Sequence, residues 1–546
     1  MQTIEHPKDA KAITHLRDSK YIVVLGSLMS GLGKGIVTAS VARLLNDQGL
    51  KVTAIKFDGY LNIDCGTMNP YRHGEVFVLD DGTECDMDFG TYERFLNQGM
   101  SGTNSITGGK LFKLIIEKER TGKFLGRDVQ FIPHLTDEIK SWVKGVGAGK
   151  DVVLVEVGGT VGDLENGYFI EAMRQLSSET REVTFIQLTY VPMISTGEYK
   201  TKPTQHATRL LQSMGVQPQI ILVRADGCLP KDSKEKISQF CNIPLEAVYD
   251  DPDIESIYEL PLMLEKQDFT AYLMKLMGMK KDGLNLVQWK SLVEKIKNPR
   301  HAVKIGIVGK YTKLHDAYVS IKEAFIHAGA ALDAKVEIEW IESEGFENDP
   351  ESVSVLKDYD GILVPGGFGS RGIEGKINAI KYVRENKIPY FGICLGMQMM
   401  VVEYARNVCG LKGANSTEFD ENTKSPVIDL LPEQRAIKDK GATMRLGAWK
   451  CELAKGTRAF EAYGKQSIEE RHRHRYEVNN DYLETLEKSG IVLSGRSGHI
   501  VEMVEWKEPH GFGIGLQAHP EYKSRLEEPA PLFVAFVKAA LERKKK

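Results

Sequence analysis

The sequence predicts an α/β protein of two doubly wound domains, and three observations carry that reading. Apolar, β-rich runs alternate with helical patterns, the alternation stops and restarts near residue 300, and the first strand runs into a glycine-rich turn that opens a helix. In the first half the strands are "YIVVLGS" (21–27), "KVTAIKFD" (51–58), "DVVLVEVGG" (151–159), "VTFIQLTYV" (183–191) and "QIILVRAD" (219–226). Strands of this kind, apolar on both faces, belong to a parallel sheet covered by helices on each side. The stretch from Asp268 to Arg300 has helical spacing, a glycine break and a terminal "NPR" turn signal, and leads into the fresh strand "VKIGIVGK". The expected division is therefore 1–267, a helical linker 268–300, and 301–546. The second half repeats the alternation in "KVEIEWIE" (335–342), "GILVPGG" (361–367), "PYFGICLG" (389–396), "GIVLSGRS" (490–497) and "FGIGLQAHPE" (512–521).

Composition sets bounds on function. A chain of 546 residues leads one to expect two or three compact units, and 42% hydrophobic with 27% charged residues is ordinary for a globular protein. A net charge of −4, with both signs mixed along the chain, gives no electrostatic case for nucleic acid or a membrane surface. The seven cysteines are scattered with no C-x-x-C pair, which argues against structural zinc or a disulfide framework. The start has no apolar signal-like core and no run reaches the roughly 18 apolar residues of a span, so a cytoplasmic protein is expected.

The stretch "LGSLMSGLGKGIVTAS" (25–40) reads as a phosphate-binding loop. Gly31, Gly33 and Gly35 let the backbone approach an anion, Lys34 supplies a point charge, and the following helix offers its first N–H groups. Such loops usually carry Ser or Thr after the lysine as a magnesium ligand, and here Gly35 stands there. Mg²⁺ prefers hard oxygens, so carboxylates must come from elsewhere. Asp88 in "TECDMDFGTYERF" and Glu156 near the end of its strand are the candidates, while Asp86 reads as a solvated acid. Glu156 interrupts an apolar strand, where an unpaired charge would be costly. In "STGEYKTKPTQH", Lys200 and Lys202 flank Thr201 and Thr204, and the choice between a binding loop and an exposed one stays open on these residues alone. "GIVGKY", around Gly309 and Lys310, lacks the preceding glycine arc and reads as a plain strand end.

"FGICLGMQ" places Cys394 in a G-x-C-x-G frame between a strand and a helix, the thiol counterpart of a nucleophile elbow, and an unusually acidic thiol is expected. "AHPEY" offers His519 as base with Glu521 to orient it, and the glycines of "VPGGFG" (364–369) suit an oxyanion hole. A Cys-His-Glu triad follows.

Taken with "GEVFVLDDGTECDMDFGTYERF", "EVGGTVGD", "VPGGFGSRGIEG", "NSTEF" and "ERHRHRYEVNN", these motifs make the chain, from about Tyr21 to Val537, closely similar to the CTP synthase family. The resemblance implies a P-loop, dethiobiotin-synthetase-like amidoligase domain joined to a class I glutamine amidotransferase domain, making CTP from UTP, ATP and glutamine. It implies ATP contacts at Gly31, Leu32, Gly33, Lys34, Gly35, Ile36 and Lys56, and adenine contacts at Pro252, Asp253 and Ile254. Asp88, also placed at the ATP, and Glu156 would be magnesium ligands. UTP, or CTP as feedback inhibitor, would meet Ser30, Asp163, Leu164, Glu165, Lys200, Thr201, Lys202, Pro203, Thr204, Gln205 and Lys236. Glutamine would meet Gly367, Leu395, Gly396, Met397, Gln398, Glu418 and Arg475. Phe368 and Arg371 would lie in a GTP-responsive lid, His73 and Val76 by an ammonia passage, and the chain would assemble as a homotetramer, with filaments possible in the family. The family commonly has Ser at Gly31 and Pro at Gly59 and Cys65, departures that touch backbone stiffness. A non-catalytic filament or scaffold protein with a dead glutaminase half is the alternative, and the intact Cys394, His519 and Glu521 count against it. Related amidoligases share the loop but leave "KTKPTQH" unexplained.

Overall fold

A computed structural model describes residues 19–280, 283, 285–310, 315–367, 369–430 and 444–545. Phe368 lies outside the described residues. Two compact units emerge, one comprising the chain up to Cys65 together with Asp88–Val293, the other Gly66–Met87 together with Glu294 onward.

The first unit is a seven-stranded parallel sheet in the order Ser105–Thr107, Val52–Asp58, Val152–Val157, Lys20–Leu25, Val183–Tyr190, Ile220–Ala225 and Val248–Pro252. The five expected strands are all present, and two short edge strands join them. Ile22, Val23 and Val24 are fully buried, as are Val37, Val41, Leu44 and Leu45 on the helix Lys34–Asn46. Each such side chain contributes about 1.5–3 kcal/mol on burial. The strand Lys20–Leu25 lies between Val152–Val157 and Val183–Tyr190, at the point where the chain switches from filling one side of the sheet to filling the other. Ligands bind at the carboxyl ends of strands at such a point. The helix Phe269–Leu276, expected as part of a linker, packs into this unit: Phe269 and Leu273 are fully buried, with Phe269 edge-on to Tyr249 at 5.0 Å. Trp289 is also buried here, its indole N–H donating to the Tyr258 carbonyl at 2.8 Å.

The second unit has a nine-stranded mixed sheet. Its parallel part runs Ala334–Glu342, His301–Gly309, Gly361–Val364, Tyr390–Ile393, Gly513–Leu516, and it continues antiparallel through Ile500–Trp506, Ile491–Ser497, Arg445–Leu453 and Ser467–His474. The alternation rule finds the parallel strands and only Ile491–Ser497 of this antiparallel wing, whose connections are direct or carry only the short helices Arg458–Tyr463 and Leu483–Ser489.

Gly66–Met87 folds with the second unit although its sequence interrupts the first. Phe77–Val78 pairs antiparallel with Glu84–Cys85. The Arg471 guanidinium donates to Asp80 at 2.6 Å and to the Val78 carbonyl at 3.1 Å, and Arg473 donates to Glu84 at 2.8 Å. Phe77 packs edge-on to Tyr522 at 5.1 Å. Arg471 and Glu84 are buried, so these bonds are needed to offset desolvation.

Candidate functional site

The phosphate-loop region takes shape from backbone first. Gly31 and Gly33 have φ of 74° and 91°, left-handed conformations in which a side chain would be strained. Glycine at 31 takes this conformation without that strain. The Lys34 ammonium donates to the Gly159 carbonyl at 2.6 Å, across the mouth of the loop. Burial lowers the Lys34 pKa, partly opposed by the nearby Glu156 carboxylate.

Gly35 explains why the usual hydroxyl is missing. A Cβ built there would stand 2.2 Å from Asp88 Oδ1 and 2.6 Å from its carboxyl carbon, so the carboxylate occupies the space a Ser or Thr side chain would need. Asp88 begins the helix Asp88–Leu96 and pairs with the Lys56 ammonium, which also stands 3.7 Å from Glu156. Tyr92, one turn along the same helix, donates its hydroxyl to Glu156. Burial raises the Glu156 pKa; the Lys56 ammonium opposes this and the Asp88 carboxylate adds to it. Two carboxylates, Glu156 buried and Asp88 partly so, thus stand beside the Lys56 ammonium, with Lys34 also close by. That donor set fits Mg²⁺, which takes one or two carboxylates and completes its shell with phosphate and water oxygens. Among the described residues no three His, Cys, Asp or Glu side chains gather as a protein-only metal cage.

The proposed pyrimidine residues fall on loops and on the starts or faces of two helices, all in the first unit. Asp163 accepts from Thr160 N–H at 2.7 Å and from its hydroxyl at 2.8 Å, with Leu164 and Glu165 exposed beside it. A Cβ at Gly59 would meet Glu165 Cβ at 2.7 Å and Asn166 Oδ1 at 2.6 Å, so the proline expected there from the resemblance would not fit this backbone. Cys65, the other departure, is buried with its sulfur 3.3 Å from the Tyr60 hydroxyl. Thr201 precedes the helix Lys202–Ser213, in which Pro203 takes an early position, Thr204 is fully buried at 3.0 Å from Thr189, and Gln205 donates to Thr201 at 3.1 Å. Lys200 pairs with Glu198 at 2.7 Å, while Lys202 sits 5.4 Å over the Phe240 ring. Phe240 shares the helix Lys231–Cys241 with Lys236, which is exposed and 3.9 Å from Asp232. Ser30 is exposed, Pro252 ends its strand, Asp253 pairs with Arg224 at 2.8 Å, and Ile254 is half-buried.

The second unit builds its site on strained backbone. Cys394 follows the strand Tyr390–Ile393 with φ 51° and ψ −104°, and the helix Leu395–Asn407 begins at the next residue. The neighbouring glycines are required by close approach: a Cβ at Gly396 would lie 2.0 Å from the Val364 carbonyl, and one at Gly392 would lie 2.7 Å from Gly396. A Cβ at Gly366 would be 2.8 Å from His519 Cε1 and 3.5 Å from Cys394 Cβ, which puts that glycine, the thiol and the imidazole around one point. His519 Nδ1 is 2.7 Å from Glu521 Oε1, and the imidazole stacks on Tyr522 at 5.0 Å. Burial disfavours the imidazolium, but Glu521 and Cys394 outweigh it and hold His519 protonated up to about 10. A cavity of about 90 Å³ is lined by Cys394, His519, Gly366, Gly367, Glu75 and Val76 among others. His73 is exposed, and Glu75 accepts from the Ser320 N–H at 3.1 Å and from its hydroxyl.

Of the proposed glutamine contacts, Gly367 lines this cavity and Leu395 to Gln398 follow Cys394 directly. Leu395, Gly396, Met397 and Gln398 form the first turn of the helix, whose leading N–H groups lack intrahelical partners. Glu418 accepts from Gly369 N–H at 3.4 Å; burial raises its pKa, against the pull of Lys310 and Arg475. Lys310, read from sequence as a plain strand end, is buried and donates to the Gly369 carbonyl, and burial lowers it to about 8. Arg371 donates to the Lys310 carbonyl at 3.1 Å and pairs with Glu344 at 2.8 Å. Sequence reasoning also missed Tyr92, as the partner of Glu156, and Gly159, as the partner of Lys34, although both lie inside stretches quoted for the resemblance.

Among the described residues no helix is long and apolar enough to cross a membrane. The family model for the CTP synthase N-terminus matches residues 20–279, and that for class I glutamine amidotransferases matches 313–539. The CTP synthase of Caldanaerobacter subterraneus subsp. tengcongensis is 52% identical over 533 residues, covering 96% of this chain and 99% of its own. That of Methanocaldococcus jannaschii is 51% identical over 536 residues, with the same coverage of both chains. Among solved structures, the acivicin-bound glutaminase domain of Trypanosoma brucei CTPS is 39% identical, with a TM-score of 0.42, covering 44% of this chain and 94% of that one. With family models matching both halves and full-length relatives at this identity, the chain belongs to the CTP synthase family.

Proposed function

We propose that this protein aminates UTP to CTP, consuming ATP and taking ammonia from glutamine. The observation that carries the reading is the pairing, in one chain matched end to end by CTP synthases, of a phosphate loop backed by carboxylates with a Cys-His-Glu site. The C4 oxygen of UTP is a poor leaving group. Transfer of the γ-phosphoryl of ATP to that oxygen turns it into phosphate, which ammonia then displaces at C4. Such transfers depend on positioning and on charge. The N–H groups after Gly31 and Gly33, with Lys34 and Lys56, would hold and neutralise the triphosphate. Asp88 and Glu156 would hold Mg²⁺, which supplies charge neutralisation at the phosphates. Ser30, Asp163–Glu165, Lys200–Gln205 and Lys236 would hold UTP or the inhibitor CTP, and Pro252–Ile254 the adenine.

In the second unit, Cys394 would attack the glutamine carboxamide, forming a thioester as the C–N bond breaks, and His519 would give its proton to the departing ammonia. Water then cleaves the thioester to glutamate. Glu418 and Arg475 carry charges suited to the amino and carboxylate groups of glutamine. A cytoplasmic homotetramer, activated by GTP and inhibited by CTP, is the regulatory form this reading includes. Incubation with ATP, UTP, Mg²⁺ and glutamine should yield CTP, phosphate and glutamate in equal amounts; glutamate formation without CTP would defeat the proposal.

A further inference from the structure

Gln517 is fully buried two residues before His519, and its side chain lies on the nucleophile. Its amide nitrogen is 3.5 Å from Cys394 Sγ, within reach of an N–H···S hydrogen bond. Its amide oxygen accepts from Gln398 Nε2 at 3.2 Å, and that same nitrogen donates to the Tyr476 carbonyl at 2.8 Å. A backbone carbonyl can only accept, so Tyr476 fixes which end of the Gln398 amide is NH₂. Gln398 therefore presents a donor to Gln517, and Gln517 is left with its own NH₂ turned to the sulfur. The chain Tyr476, Gln398, Gln517, Cys394 is thus oriented from a carbonyl that cannot turn. Its backbone is held as well, Gln517 N–H donating to the Glu502 carbonyl at 2.8 Å.

We propose that Gln517 is a catalytic residue of the glutaminase half, its amide donating to Cys394 Sγ and holding the sulfur as an aimed anion until it attacks. The inference rests on the reading of Cys394 as the nucleophile. Thiol-to-imidazole proton transfer leaves a buried thiolate with His519 as its one cationic neighbour on that turn. A hydrogen bond to an ionised acceptor is stronger than one between neutral groups, so a fixed donor favours the anion. Once the sulfur shares its electron pair with the acyl carbon the bond weakens, and it is restored when water releases glutamate. The amide therefore acts on the free thiolate and not on the thioester. Gln398 enters twice, as a proposed glutamine contact and as the clamp on Gln517, so seating of the substrate and aiming of the sulfur share one side chain.

The titratable groups that line the cavity with Cys394 are His519, Glu521 and Tyr522 from the turn after Gly513–Leu516, Arg473 from the strand Ser467–His474, Glu75 from the inserted segment, and Tyr318. Replacement of Gln517 leaves all six in place. The test is the pH dependence of Cys394 alkylation by iodoacetamide in the full-length protein, comparing the parent with Gln517→Met and Gln517→Leu, which lack the donor but keep the bulk. The midpoint should move up by about one pH unit, the scale of one lost charge-stabilising contact. Turnover of glutamine should fall about tenfold while its KM moves less than about threefold. Melting temperatures identify a variant that fails to fold, in which case the other carries the test. An unmoved alkylation midpoint in a folded variant overturns the inference, whatever happens to turnover, because packing alone would then account for Gln517. Failure of the underlying reading looks different: full alkylation of Cys394 in the parent would leave glutamine hydrolysis running.

Discussion

Two strand-to-helix turns in this molecule solve opposite problems with the same glycines. After Lys20–Leu25, Gly31 and Gly33 take left-handed conformations so that bare backbone can face a phosphate; the turn supplies one charge of its own, Lys34, and the others are brought in from other elements. After Tyr390–Ile393 the left-handed position belongs to Cys394 itself, and the glycines stand beside it because Val364 and Gly396 come too close for any side chain. An anion site needs freedom and can draw its charge from Asp88, Glu156 and Lys56. A nucleophile needs one side chain held where no relaxed turn would put it, so the strain falls on the reacting residue. The first arrangement should tolerate changes in the loop's partners poorly, and the second should concentrate its chemistry in one atom.

The largest expected effects separate the two turns. Cys394→Ala should lower glutamine-dependent CTP formation by about a thousandfold or more, with synthesis from added ammonium salts retained. That rescue should strengthen with pH, since only unprotonated ammonia has the lone pair to attack C4. Asp88→Asn and Glu156→Gln should instead abolish CTP formation from either nitrogen source, because each removes a hard anionic oxygen at nearly constant volume. Loss of the ammonia reaction in a folded Cys394→Ala protein, or near-normal synthesis in both carboxylate variants, would erase the distinction.

Gly35→Ser sharpens the comparison, since it restores the residue that such loops usually carry. The hydroxymethyl group would meet Asp88 Oδ1 at 2.2 Å from its Cβ and push the carboxylate away. CTP formation should fall by about a hundredfold from misplacement of that group. Activity at parental levels would mean that serine can take over the role assigned to Asp88. A smaller effect is expected from Lys202→Ala, which should weaken UTP use and CTP inhibition together. Unchanged values for both would return this lysine, now packed over Phe240, to a solvated role.

Most of the parallel strands and both turns were legible in the sequence because each announces itself locally, by apolar runs or by glycine spacing, whereas the two short edge strands of the first sheet and most of the antiparallel wing were not. The absence of a hydroxyl at Gly35 even pointed to the carboxylates, though only the 2.2 Å approach of Asp88 gives the steric reason. What stayed hidden depends on long-range packing. Gly66–Met87 reads as part of the first half, yet Arg471 and Arg473, almost four hundred residues onward, place it in the second unit by pairing with Asp80 and Glu84. Gln517 lies in an apolar strand end where nothing in its neighbours marks it as a donor. Lys310 resembled a phosphate-loop lysine and was set aside for want of glycines, but its position against Gly369 shows a buried cation that no local pattern would reveal.

The smallest effect contrasts one buried lysine from each unit. Burial lowers both Lys34 and Lys376, but Lys34 has three carboxylates, Glu156, Asp88 and Asp58, against one cation, Lys56, whereas Lys376 has two cations, Lys310 and Arg371, against Glu342 and Glu418. Lys376, on the helix Ile373–Glu385, is lowered to about 7 from an ordinary 10.5. Below pH 7 both folded and unfolded chains carry the proton, and folding bears the full cost of burying it. Between about 7 and 10.5 the unfolded chain holds a proton the folded one has lost, so stability rises with pH across that window, and above it the cost is gone. Lys376→Met removes the titration and keeps the apolar stem. It should stabilise the protein by on the order of a few kcal/mol near pH 7, raising the melting temperature by several degrees, and this gain should shrink steadily to nothing by about pH 10.5. A gain of equal size at every pH would point to better packing instead, and a loss near pH 7 would show that Glu342 and Glu418 depend on this ammonium more than burial penalises it.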